Sequence, residues 1–143
     1  MKWMACLGAL LAMTAPVRAE LLHIATLPDM RAASLAYDAQ VCGVWVANES
    51  DEVVLLSPGG QEILRFQTEM RSVRSITVVE DGLLISNGWG QFQRINRAGR
   101  AIDAPFSLSQ TLRDTEGMHR DADGSFLVVE DDPSRLLRIA PDG

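Results

Sequence analysis

A set of short motifs recurs along this chain at a spacing that few folds can accommodate. Ser34-Leu35, Ser75-Ile76 and Gly117-Met118 mark matching points of three successive stretches, offset by 41 and then 42 residues. The match continues downstream: Val44-Trp45-Val46-Ala47-Asn48 aligns with Leu83-Leu84-Ile85-Ser86-Asn87 and with Phe126-Leu127-Val128-Val129-Glu130. A polar turn follows each of these strands, as Glu49-Ser50-Asp51-Glu52, Gly88-Trp89-Gly90-Gln91 and Asp131-Asp132-Pro133-Ser134. Third strands are expected over 53–57, 92–96 and 135–140. They close with Pro58-Gly59-Gly60, Arg97-Ala98-Gly99 and Pro141-Asp142-Gly143, where glycine meets a left-handed backbone angle at no steric cost. A fourth strand is expected twice, over 62–67 and 101–106.

A unit of about 40 residues with four short strands cannot bury its apolar faces alone and must stack on its neighbours. This period predicts an all-β chain of β-propeller type, built from four-stranded antiparallel blades. The second strand of each unit is almost wholly apolar, as a strand covered on both faces requires, whereas the third and fourth mix charged and apolar residues. No helical period competes. Residues 107–113 read as a connecting loop and 21–27 as a lone strand ahead of the first unit. The expected organisation is a cleaved signal peptide over 1–19 and a partial β-propeller over 20–143, with blades near 34–70, 75–112 and 115–143. About three blades fall short of the roughly four to eight of a closed ring, so the ring is incomplete. The favoured expectation is a fragment, and the alternative is self-association that completes the ring.

The amino terminus carries Lys2, an apolar run from Trp3 to Ala15, and then Pro16-Val17-Arg18-Ala19-Glu20. Charge, apolar core and small-residue cleavage site in that order describe a secretory signal cut after Ala19, and the run is too short to span a bilayer. The mature chain is expected in the periplasm or secreted, with no membrane attachment. Cleavage removes Lys2 and Arg18, leaving 11 basic residues against 19 acidic ones and no lysine. That balance lacks the basic footprint needed for nucleic acid and suits a soluble export or a cation binder. Cys42 is the one cysteine that survives cleavage, so no intramolecular disulfide staples the fold. Between Val41 and Gly43 it reads as a buried structural thiol.

Residues 115–143 also carry a family signature: Glu116-Gly117-Met118, Asp123-Gly124, Phe126 to Asp131, Leu136-Leu137-Arg138-Ile139 and Pro141-Asp142-Gly143. This stretch resembles a blade of the propeller group that holds NHL-repeat and gluconolactonase-like (SMP-30-like) proteins. It is most similar to the phytase-associated esterase-like domain, through Asp114-Thr115-Glu116-Gly117. Met118 departs from the proline usual after Glu-Gly in the gluconolactonase-like pattern. The resemblance implies a metal-assisted esterase-like, lactonase-like or phytase-like hydrolase acting on ester bonds. A non-catalytic propeller module that binds a small molecule or a protein is the competing class.

Propeller chemistry gathers where inner strands begin and the loops beyond second strands converge. Glu116 begins an inner strand and is the candidate catalytic residue. Asn48, Asn87 and Glu130 occupy one equivalent position in successive units, and with Glu116 they form a candidate oxygen set for a divalent cation, Ca²⁺ favoured. The plainer reading has Asn48, Asn87 and Glu130 each satisfying its own turn. Trp89, in a loop between Gly88 and Gly90, is the candidate to stack on a sugar or aromatic ligand, whereas Trp45 reads as core. His119 to Glu130 approaches calcium-loop spacing, but it opens on His119, and Asp121-Ala122-Asp123-Gly124 reads better as a hairpin turn. His23 and His119 stand isolated, and no nucleophile elbow or paired-histidine motif occurs.

Overall fold

The computed structural model describes residues 22–140; the segment expected to be cleaved and the last glycine turn lie outside the described residues. Eleven strands and no helix occur among them, arranged as three antiparallel meanders. The first sheet runs β1 (Ala32–Asp38), β2 (Gly43–Asn48), β3 (Glu52–Leu56) and β4 (Glu62–Gln67), paired in that order. The second runs β5 (Val73–Val79), β6 (Gly82–Asn87), β7 (Gln91–Ile95) and β8 (Phe106–Ser107). The third holds β9 (Thr115–Arg120), β10 (Phe126–Glu130) and β11 (Arg135–Ile139). The inner strand β5 packs between β1 and β9, so the first strand of each sheet lines a common axis. The result is an incomplete all-β propeller of three blades.

The apolar second strands follow from stacking on two sides. Trp45 and Ala47 of β2, with Val53 and Leu55 of β3, face the second blade and meet Ile76, Leu83, Ile85 and Ile95. Val46, Val54 and Leu56 point the other way, under Leu27 and Met30. The second blade repeats the arrangement, with Val79, Leu84 and Phe92 packed on Val128 and its neighbours Met118, Phe126, Leu137 and Ile139. Period-two alternation thus puts one apolar set into each joint between blades. In β10 a single face is covered. Val128 is fully buried while Val129 is 45% exposed.

Polar ties reinforce the joint between the first two blades. Asp38, buried at the end of β1, accepts hydrogen bonds from Trp45 Nε1 at 3.1 Å and from Arg97 Nε of the second blade at 2.7 Å. Burial pushes the Asp38 carboxyl up. Arg97, Trp45 and the Gln40 N–H outweigh that push and hold it below the usual carboxylate range. The glycine turns take the left-handed angle, with φ of +80° at both Gly60 and Gly99. A side chain at Gly99 would place its Cβ 2.5 Å from the Phe66 ring, so this turn seats directly on the outer strand of the preceding blade. Asp121 to Gly124 forms the hairpin turn between β9 and β10, closed by Gly124 N–H to Asp121 O at 3.1 Å. The segment therefore enters and leaves on strands, and the helix that a calcium loop requires is missing there.

Three sequence expectations need correction. The strand expected over 101–106 reduces to a bridge at Ala101 and the two residues of β8. Pro105 has no N–H to donate, and Asp103 is drawn off by Arg94 on its carboxylate and by Gln93 on its carbonyl. Residues 22–27 of the expected lone strand carry no strand pairing, and Leu27 instead covers the first blade's outer face. Cys42 is exposed rather than buried, because it sits in the β1–β2 turn at φ +48° with its thiol toward Ala39 O.

Candidate functional site

Every inner strand opens with the same irregularity. The β1–β2, β5–β6 and β9–β10 ladders each skip one residue, and the skipped residues are Ala33, Arg74 and Glu116. A β-bulge leaves its extra residue out of the ladder and re-aims its side chain. These three bulges are equivalent by repeat, so they present their side chains at one end of the axis. Ala33 contributes nothing polar. Arg74 and Glu116 meet across the joint between the second and third blades.

Arg74 Nη1 donates to Glu116 Oε1 at 2.7 Å and to Asp114 Oδ1 at 2.6 Å. All three side chains stay accessible: Arg74 is 30% exposed and the two carboxylates 47% and 48%. Asp114 holds a left-handed φ of +52°, and its N–H reaches back to Gly88 O at 2.7 Å. Gly88 has no side chain to spare: a Cβ there would lie 3.2 Å from Arg74 Nε. The guanidinium is thus laid along the loop backbone, with Nε buried and without a partner. The next residue in that loop is Trp89, 64% exposed. Asn87 shapes the loop by accepting from Trp89 N at 3.0 Å and Gln91 N at 3.1 Å. The carbonyl of Asn87 also takes the Thr115 hydroxyl of the next blade.

The structure pairs Glu116 with Arg74 and sets Asp114 and Arg74 against Gly88, the residue before Trp89; the sequence reading selected neither Arg74 nor Asp114. Arg74 was discoverable, since it lies 42 residues before Glu116, one position ahead of the aligned Ser75 and Gly117. Asn48, Asn87 and Glu130 do share one equivalent strand end, and all are buried. Their side-chain oxygens serve their own turns. Asn48 Oδ1 accepts from Arg31 N at 2.8 Å, and Glu130 accepts from Arg113 N and Arg135 Nε, both at 2.7 Å. The Arg113 N–H holds the Glu130 carboxyl below its usual range, with help from Arg135 and against burial. Glu116 already carries a guanidinium, so the donor set as it stands does not fit a hard cation. Among the described residues no three His, Cys, Asp or Glu side chains group as metal ligands.

No protein-family model matches the chain, and no curated protein matches it either. Solved structures do. Streptogramin B lyase superposes with a TM-score of 0.63 at 16% identity, over 83% of this chain and 40% of that one. A protein of unknown function from Bacteroides caccae gives 0.55 at 14% identity, over 82% and 44%. The Pan2 WD40 domain of Neurospora crassa gives 0.52 at 13% identity, over 78% and 38%. At these identities the likeness shows a propeller fold and nothing finer. The chain spans about two fifths of the length of the structures it matches.

Proposed function

We propose that this chain is part of an exported β-propeller that binds a ligand without transforming it, at the mouth formed by Arg74, Asp114, Glu116 and Trp89. One observation carries this reading. A guanidinium from one blade is held between two carboxylates of the next, against the loop at Gly88 whose following residue, Trp89, stands in solvent. Exposed aromatic rings next to a few fixed polar groups are the usual makings of a recognition site. The pairing also argues against catalysis. A general acid or base needs a free path to substrate, and Glu116 Oε1 is held by Arg74. Export is supported by the order of charge, apolar run and small residues at 1–19.

A hydrolase acting on esters is the second reading, favoured by the half-exposed position of Glu116 at an inner-strand start. A thermal-shift screen of small molecules, run on the native chain and on Trp89→Ala, separates the two when paired with an ester-turnover assay. The binding reading expects hits that disappear in Trp89→Ala and no turnover of 4-nitrophenyl acetate with or without calcium. Turnover that is abolished in Glu116→Gln would overturn it in favour of the hydrolase.

A further inference from the structure

We propose that the chain closes its ring with a second copy of itself, each copy lending residues 22–27 as the fourth strand of the other's third blade. Two matching turns carry this, independently of the ligand mouth. Gly60 and Gly99 hold equivalent turns of the first and second blades, both at φ +80°. Phe66 of β4, the fourth strand of the first blade, lies under Gly99, 2.5 Å from where a Cβ would stand. Under Gly60 lie Ala25 and Ile24: an added Cβ would run into the Ala25 methyl and stand 3.5 Å from Ile24 Cγ2. Ala25 precedes Phe66 by 41 residues, the offset that also separates Ser34 from Ser75. Packing follows the same register. Phe66 packs on the layer that holds Ile85 and Ile95, and Leu27 packs on the layer of their equivalents Val46 and Leu56. Residues 22–27 therefore sit where the fourth strand of a preceding blade belongs, yet they pair with no strand among the described residues.

The third blade has the converse lack. Among the described residues its sheet ends at β11, whereas the first two blades carry a fourth strand at that edge. An edge of unpaired N–H and C=O groups is a template for an added strand. The faces agree with the edges. Ile76 of β5 is 1% exposed because the first blade covers it, and its equivalent Leu35 of β1 is 70% exposed. Ile24, Leu27, Leu35, Val44 and Val46 line an open apolar groove between the segment and the first sheet. On the opposite flank Leu127, Val129 and Leu136 hold the positions that Trp45, Ala47 and Val53 hold in the first joint. Each copy thus has a strand without a blade and a blade without its fourth strand. A second copy meets both needs at once, through two identical head-to-tail joints related by a two-fold axis. Two copies of three blades make six, inside the roughly four to eight of a closed propeller.

Light scattering on the purified chain, coupled to size exclusion, reads the assembly. Isotope-filtered NOE spectroscopy on a mixture of labelled and unlabelled copies reads the strand exchange. The expected result is a mass of two chains, with NOEs between residues 22–27 of one copy and β11 of the other. Ile24→Asp and Leu136→Asp each place a charge on a side chain that is 62% or 67% exposed in the single chain. Each variant is expected to keep its strands by circular dichroism while its dimer dissociation constant rises about tenfold or more. The proposal is overturned by a monomer at every soluble concentration, or by a dimer that lacks those NOEs or that both substitutions leave intact. A ladder of growing mass in place of a closed pair overturns it as well.

Discussion

Asp38 shows how a single buried carboxylate can tie two blades together. It faces Trp45 and Gln40 of its own blade and Arg97 of the next, and its carboxyl lies below the ordinary value of 3.8. A group depressed in the folded state contributes stability above its unfolded pKa and loses it as pH falls through the folded value. Asp38→Asn is therefore expected to melt lower than the native chain at neutral pH, with the gap closing below about pH 4. Melting curves across that range check it, and a gap that stays constant would contradict the account. Glu130, shifted in the same direction by the Arg113 N–H, adds to the acid sensitivity of the native chain. Residue-level reading of the sequence reached part of the site. Glu116 and Trp89 stood out because one begins an aligned strand and the other interrupts two glycines. Asp114 and Arg74 did not: Asp114 lies just ahead of β9 at a left-handed φ of +52°, and Arg74 gains its meaning only from the repeat offset that sets it opposite Glu116. For Asn48 and Glu130 the position was readable, but their partners Arg31 N and Arg113 N lie 17 residues away along the chain.

Elements were most readable where burial dictates composition. β2 and β6 are largely apolar because both faces are covered, and that pattern survives without knowledge of the partners. β8 was overread, since the place of 101–106 in the repeat said nothing of the hydrogen bonds lost at Pro105 or taken by Asp103. Turns are a sharper test of the blade geometry than strands. Gly99 combines a φ of +80° with a backbone pressed on Phe66 at 2.5 Å from any added Cβ. Gly99→Ala is expected to cost about 2 kcal/mol, the sum of left-handed strain and displacement of the ring. A urea titration reads this as a lowered midpoint with an unchanged slope. Gly59 provides the control, because its added Cβ meets only the Ser57 hydroxyl at 3.8 Å. Equal effects at the two positions would deny that the turn seats on the neighbouring blade.

At the scale of the molecule, each joint between blades is a separate apolar layer, and the mouth exists because the second joint brings Arg74 against Asp114 and Glu116. The two flanks of the arc differ from the joints in leaving large apolar side chains in solvent, including Leu35 and Tyr37 on one and Leu136 on the other. The repeat period made the stacking readable in advance, since units of this size must share their cores. What it could not supply was the pairing of charges across a joint, which depends on bulges and not on the period. Methyl NOE spectroscopy on a chain labelled at Ile, Leu and Val tests the stacking most directly. The account predicts contacts of Leu55 with residues of the second blade such as Ile76 and Ile85, and of Leu84 with Val128, in line with the two layers. Contacts joining Leu55 to Val128, with neither of the sequential layers present, would contradict it.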